Sequence, residues 1–115
     1  MKITPQSDGS FVVELSHNEH LYLANTLNEA LGALLIEDCE DIPKAMGEPV
    51  RKLWSKIENS IGTNQLTLSR PEIALLCKAT RACYQEFGDE EFSTRLGMVW
   101  PDALNLIETL ERFLK

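Results

Sequence analysis

The sequence carries the same strand-to-helix joint twice, in VELSHNEHLYL (residues 13–23) and LTLSRPEIALL (residues 66–76). In each copy a serine is followed three residues later by a glutamate, as Ser16 with Glu19 and Ser69 with Glu72. This is the spacing of a capping box, in which the serine hydroxyl accepts from the glutamate amide and the glutamate carboxylate accepts from the serine amide. The two copies therefore predict two short strands that each lead directly into a long helix.

The other patterns predict a helix-rich α+β fold. Apolar residues at spacings of three and four predict helices over about 17–36, 49–61, 70–87, 90–96 and 101–114, and β-branched or alternating apolar residues predict strands near 2–4, 11–15 and 65–68. A chain of 115 residues is long enough to bury one core without disulfides or metals. We expect a single domain over residues 1–115, with a small antiparallel sheet packed by helices.

The two halves of the chain follow the same order of strand, long helix, short helix and helix. Identical residues recur 53 positions apart at Leu15/Leu68, Ser16/Ser69, Glu19/Glu72 and Leu23/Leu76, and 50 positions apart at Gly47/Gly97, Ile57/Ile107 and Glu58/Glu108. We interpret this as a pseudo-twofold tandem repeat with units of about 10–61 and 65–115. Helix punctuation that is common to all capped helices is the alternative explanation. A homodimer is also possible, because duplicated units often descend from symmetric dimers.

Charge is distributed unevenly along this acidic chain, whose formal net charge is −7. Residues 1–50 hold two lysines and nine acidic residues, whereas residues 51–115 hold equal numbers of basic and acidic residues. An acidic surface repels nucleic acid and anionic lipid and attracts basic proteins. We therefore expect an unidentified protein partner with a basic surface, and neither a nucleic acid nor a membrane. The predicted partner-binding residues are the acidic loop and one aromatic residue near the start of the last helix: Glu37, Asp38, Glu40, Asp41 and Trp100.

The cysteines and the apolar segments predict a cytoplasmic protein. Cys39, Cys77 and Cys83 are odd in number and form no CxxC pair, which is not typical of a secreted disulfide scaffold. The first ten residues, MKITPQSDGS, lack the apolar core of a signal peptide. The longest apolar run, at residues 31–36, is too short to span a bilayer.

Catalytic and metal-binding patterns are sparse. His17 and His20 are spaced so that both fall on a first helical turn, which makes them weak candidate metal ligands in a metal-binding alternative. The sequence has no glycine-rich phosphate loop and no nucleophile elbow. We therefore expect no enzymatic activity and no cofactor.

Residues 92–112 have the outline of a helix-turn-helix, which gives a transcriptional regulator as a second alternative. The second helix of that motif must offer basic or amide side chains to DNA. Here it begins PDALNLIE and has no basic residue before Arg112. A sequence isoelectric point of about 4.8 also removes the electrostatic attraction on which DNA affinity depends.

Two short motifs give the chain a family resemblance. Leu27–Glu29 read LNE after the first capping box, and Glu91–Gly97 read EFSTRLG. The pattern LSxxE…LNE…EFxTRxG resembles small uncharacterised bacterial proteins in which both motifs occur within one unit. The resemblance implies a bacterial cytosolic protein and brings no known activity. Our leading hypothesis is a non-enzymatic, acidic protein-interaction module, for example an immunity or antitoxin-like protein or a regulatory one.

Overall fold

Three short strands form one antiparallel sheet in the computed structural model, which describes residues 1–34 and 47–114. The strands are β1 (Lys2–Pro5), β2 (Phe11–Glu14) and β3 (Gln65–Leu68), in the order β1-β2-β3. In the centre of β2, Val13 lies opposite Ile3 on one side and Leu66 on the other. Val13 is fully buried, so alternation along β2 directs one face of the sheet toward the helices.

The described part of the chain has four α-helices beside this sheet, which confirms the helix-rich α+β class. They are α1 (His17–Glu29), α2 (Gly47–Ser60), α3 (Arg70–Leu96) and α4 (Trp100–Glu111), with a π-helical turn at Ala30–Leu34 and a 3₁₀ turn at Arg112–Leu114. The central helices α1 and α3 lie against each other, while α2 packs on α1 and α4 packs on α3. No helix within the described residues combines the length and the apolar character needed to cross a membrane.

Both predicted capping boxes are present. The Ser16 hydroxyl accepts from the Glu19 amide at 3.1 Å, and the Ser16 amide donates to the Glu19 carboxylate at 2.8 Å. The corresponding distances for Ser69 and Glu72 are 3.2 and 2.8 Å. Each box satisfies amides that a helix start leaves without partners, so both long helices begin where the sequence predicts.

The structure differs from the prediction at the ends of the two long helices. The α-helical part of the first helix ends at Glu29, and the chain continues as a π-helical turn to Leu34, which contains the weak helix former Gly32. The predicted end near Ile36 lies outside the described residues. In α3 the backbone leaves helical geometry at Gly88, with φ of +76°, and then resumes a helix to Leu96. A side chain rarely adopts that φ, so glycine allows a kink where the sequence predicted two separate helices.

The core lies between the sheet and the inner faces of the helices. Its largest fully buried side chains are Tyr22, Leu23, Leu27, Leu53, Ile57, Leu68, Ile73, Leu76, Phe92 and Leu96. They come from α1, α2, α3 and β3, and the buried residues of α4 belong to the same cluster, so one core holds the described part of the chain together. This packing brings the end of α1, the kinked part of α3 and the start of α4 to one region of the surface, where the candidate site lies.

Candidate functional site

Arg95 joins the two motifs on which the family resemblance depends. Glu29 ends the LNE motif on α1, and Arg95 belongs to the EFSTRLG motif on α3. Arg95 Nη1 donates to Glu29 Oε2 at 3.1 Å, and Arg95 Nε lies 3.3 Å from Glu91 Oε2. The guanidinium also lies above the ring of Phe87, 4.5 Å from its centre. The hydrogen bond to Glu29, with the nearby charge of Glu91, raises the pKa of Arg95, and this surface ion pair links residues 66 positions apart.

A polar groove opens beside this ion pair. It has a volume of about 540 Å³ and is called the α1–α2 groove here; its walls are Asn28, Glu29, Leu31, Gly32, Arg51, Trp54 and Arg95. Arg51 and Trp54 are one turn apart on α2, so they share a helix face. Trp54 Nε1 is buried and has no hydrogen-bond partner within residues 1–34 and 47–114. The groove therefore combines two arginines with the side chain of a tryptophan.

An aromatic cluster lies under the other side of the same region. Phe92 is fully buried and makes edge contacts with Tyr84 and Trp100, whose ring centres are 5.8 and 5.5 Å away. Tyr84 and Trp100 stack on each other, with ring centres 4.0 Å apart and planes 6° from parallel. Both residues are only partly buried, so the outer edge of the stack contributes to the surface.

The surface next to this stack is both apolar and acidic. The Tyr84 hydroxyl donates to Asp89 Oδ1 at 2.6 Å across the kink in α3, and this hydrogen bond raises the pKa of Tyr84. Val99 precedes Trp100 and is 49% exposed, more than any other large hydrophobic residue among those described. We call Tyr84, Asp89, Val99 and Trp100 the aromatic–acidic patch.

Val99 occupies a position where an apolar residue is unfavourable. It is the N-cap of α4, and no side chain caps that helix. The equivalent positions of α1 and α3 hold Ser16 and Ser69, both of which make side-chain cap hydrogen bonds. An N-cap serine is worth about 1 kcal/mol over an apolar residue. The chain therefore exposes an apolar side chain at a helix start where a serine hydroxyl would supply a cap hydrogen bond.

The structure does not bring the two histidines together as a metal site. His20 is 1% exposed, and its Nε2 lies 3.1 Å from the Ile57 carbonyl and 2.8 Å from the Ser60 hydroxyl on α2. His17 is exposed on the surface. Among the described residues no group of three or more potential ligands is placed to hold a metal ion. His20 thus joins α1 to α2 within the core.

The helix-turn-helix alternative gains no support from the surface of α4. The residues that this helix exposes in its middle are Asp102, Asn105 and Glu108, while Leu106 and Leu110 face the core. If α4 entered a groove of DNA, the two carboxylates on its exposed face would lie against phosphates or base edges, and the phosphates would repel them. The helix outline was predicted, but the surface chemistry does not suit DNA reading.

The remaining predicted residues divide into buried and undescribed ones. Cys77 and Cys83 are buried, as expected of small core residues, and burial raises the pKa of Cys77 to about 12. A thiol with that pKa is a poor nucleophile at neutral pH. The other predicted residues, Cys39 and the acidic Glu37, Asp38, Glu40 and Asp41, lie outside the described residues.

Sequence reasoning missed the α1–α2 groove and the role of Tyr84. The LNE and EFSTRLG motifs were visible in the sequence, but nothing in it showed that Glu29 and Arg95 meet. Tyr84 gave no signal, because its stacking on Trp100 depends on how α4 folds back against α3. No protein-family model matches the chain, and no match was found among curated proteins or among solved structures.

Proposed function

We propose that the chain is a non-enzymatic protein-interaction module that binds a partner through the aromatic–acidic patch. The observation that carries the proposal is Val99, which is exposed at the uncapped start of α4 beside the partly exposed stack of Trp100 and Tyr84. Aromatic residues are enriched at the centres of protein interfaces. Val99 stands where a capping hydroxyl is usual, and burying its exposed part against a partner would remove apolar surface from water.

Charge around the patch favours a basic partner. Glu86, Asp89 and Glu90 are exposed beside the kink, whereas the neighbouring Glu91 is paired with Arg95. Exposed charges of one sign steer an oppositely charged partner and raise its association rate. The acidic residues at 37–41 belong to the same proposal on sequence grounds alone.

The most concrete form of the proposal is an immunity or antitoxin-like protein of the bacterial cytoplasm. In this form the partner is a toxin with a basic surface, and the aromatic–acidic patch would inhibit the toxin by covering that surface. His20 and Cys77, residue types that often serve as base and nucleophile, are both buried and hydrogen-bonded, which favours a binding role over a catalytic one. A gene for a basic toxin beside the gene for this chain would support the same conclusion.

We also propose that the domain is a duplicated unit. In support, Val13 of β2 pairs with Leu66 of β3, its own counterpart 53 residues later, as a local twofold axis through the sheet requires. The arrangement of α2 on α1 and α4 on α3 fits the same axis. At the same offsets of 53 and 50, the counterparts of Glu29 and Arg95 are alanines, so the chain would retain one copy of this ion pair.

Affinity capture with matched variants tests the interaction proposal. The full chain is immobilised and exposed to a lysate of its source cells, and the captured proteins are quantified by mass spectrometry. Val99→Ser removes the exposed apolar side chain and should weaken capture about fivefold, because about 1 kcal/mol of apolar burial is lost. Glu90→Lys should weaken it about threefold, since exposed ion pairs are worth less than about 1 kcal/mol.

The control is Glu58→Lys, which makes the same change in net charge on the exposed side of α2. The proposal requires a protein that the wild-type chain and the control retain and that both patch variants lose. Equal losses for Glu58→Lys and Glu90→Lys would show only general attraction to an acidic protein. Capture of no specific protein, or capture unchanged in Val99→Ser, would contradict the proposal.

A further inference from the structure

The α1–α2 groove has more hydrogen-bond donors than acceptors. Its walls include Arg51 and Arg95, whose guanidinium groups only donate, and Asn28, whose side-chain amide both donates and accepts. Its one carboxylate, Glu29, already accepts from Arg95. A ligand that complements these walls must therefore supply acceptor atoms and negative charge.

The two arginines differ in what already engages them. Arg95 is held by Glu29, by Glu91 and by the ring of Phe87, so its position is fixed before any ligand arrives. Arg51 is exposed and makes no ion pair with any described residue, although the chain as a whole is strongly acidic. Within the described residues the groove thus holds one engaged guanidinium and one without an ion pair, and an engaged guanidinium loses less rotational freedom when a carboxylate binds.

Trp54 supplies an apolar wall beside the two arginines. Its ring lines the groove together with Leu31, so the walls offer apolar contact to the methylene groups that carry a carboxylate. The indole Nε1 is buried and has no hydrogen-bond partner among the described residues, so the polar recognition in the groove rests on the arginines. A few polar groups within apolar walls are typical of ligand sites.

We propose that the α1–α2 groove binds the carboxylate of an acidic side chain on a peptide segment of a protein partner. Arg51 would form an ion pair with the carboxylate, and Arg95 would donate to it from the N–H groups that Glu29 and Glu91 do not use. The Asn28 amide would hydrogen-bond to the peptide backbone. The volume of about 540 Å³ accommodates one side chain and its flanking peptide groups. The inference does not rest on the proposed function, because none of the groove residues belongs to the aromatic–acidic patch.

Nuclear magnetic resonance with short peptides tests this proposal on the full chain. The probe is acetyl-Gly-Glu-Gly-amide, the matched control is acetyl-Gly-Gln-Gly-amide, and glutarate represents a free carboxylate. The chain has two tryptophans, so the Trp54 indole N–H reports on the groove and that of Trp100 serves as an internal reference. We expect the Glu peptide to shift the Trp54 resonance saturably and to leave Trp100 unchanged, while the Gln peptide and glutarate bind at least about fivefold more weakly.

Two variants on α2 separate a specific site from general attraction. Arg51→Gln should weaken binding of the Glu peptide about tenfold, as expected for a lost charged hydrogen bond. Lys52→Gln removes the same charge from the next residue, which is exposed and does not line the groove, and should change affinity less than twofold, about what a single exposed charge is worth. Equal weakening by both variants, equal binding of the Gln peptide, or glutarate binding as tightly as the Glu peptide would overturn the proposal.

A further outcome would assign the groove to the chain itself. In that case the Glu peptide would not shift Trp54, but neutralising Glu37, Asp38, Glu40 and Asp41 together would shift it. This result would overturn the partner proposal without affecting the proposed function, which the capture experiment tests at Val99 and Glu90.

Discussion

Replacing Val99 with serine should create a third capping box. Val99 already has the backbone of a cap, with φ and ψ of −71° and 149°, close to the −69° and 162° of Ser16. Asp102 lies three residues later, where the first two boxes have glutamate. A hydroxyl at position 99 would accept from the Asp102 amide, as the Ser16 hydroxyl accepts from the Glu19 amide.

Two opposing terms set the size of the effect. Val99 is about half-buried, so removing it costs about 1 kcal/mol of the stabilisation that full burial of a valine provides. A cap returns about 0.5–1 kcal/mol, toward the lower part of the usual range, because the Asp102 amide already donates to the Val99 carbonyl at 3.1 Å. Val99→Ser should therefore be about as stable as the wild type, while Val99→Ala should be about 1 kcal/mol less stable.

Urea unfolding and thermal melting of the pair Val99→Ser and Val99→Ala measure the cap alone, because the two variants differ by one hydroxyl. We expect the serine variant to be more stable by about 0.5–1 kcal/mol, or by about 2–4 °C in melting temperature. Ser16→Ala provides the scale for a working cap. If the two Val99 variants unfold together while Ser16→Ala is destabilised, the idea that position 99 can accept a cap hydrogen bond is refuted.

Three further predictions concern the core and the first turn of α3. His20→Ala should lower the free energy of unfolding by about 2–4 kcal/mol, because it leaves a cavity and removes the contacts to α2. Ser60→Ala should lower it by about 1 kcal/mol. Urea titration measures both, and equal effects of the two variants would refute the role of His20. Cys77, with a pKa of about 12, should resist iodoacetamide in the folded protein and react in urea; mass spectrometry of the modified thiols checks this, and native labelling would contradict it. Burial opposes ionisation of Glu72, but its hydrogen bonds to the Ser69 amide and to Lys56 lower its pKa below the ordinary 4.5. Its contribution to stability is therefore present above that pH and is lost as the pH falls through the lowered value. The free energy of unfolding of Glu72→Gln should accordingly fall less than that of the wild type between about pH 6 and about pH 3. Parallel curves of this free energy against pH would contradict the stabilising role of the Glu72 carboxylate.

Local features of the fold were predictable from the sequence. The capping boxes at Ser16 and Ser69 use residues three apart, and the strands and helices around them follow from alternation and helical spacing. The kink at Gly88 was anticipated as a break, because glycine permits the positive φ found there. The π-helical turn after Glu29 was not predicted, since the apolar spacing in that segment is the same as in an α-helix.

The site was not predictable for a physical reason. The pairing of Glu29 with Arg95 and the stacking of Tyr84 on Trp100 depend on how helices distant in the sequence pack together. Hydrophobic periodicity shows which face of a helix is buried, but not which neighbour covers it. His20 illustrates the same limit, because a position on a first helical turn does not show that α2 covers the side chain.

Hydrogen–deuterium exchange on the complex with the captured protein tests the central claim most directly. The claim is that the partner covers Tyr84, Asp89, Val99 and Trp100. It predicts slower exchange, on binding, in the peptides that span residues 84–91 and 97–104, with no change in the β1–β2 hairpin at residues 2–14. Protection confined to other segments, with residues 97–104 exchanging as in the free chain, would contradict it.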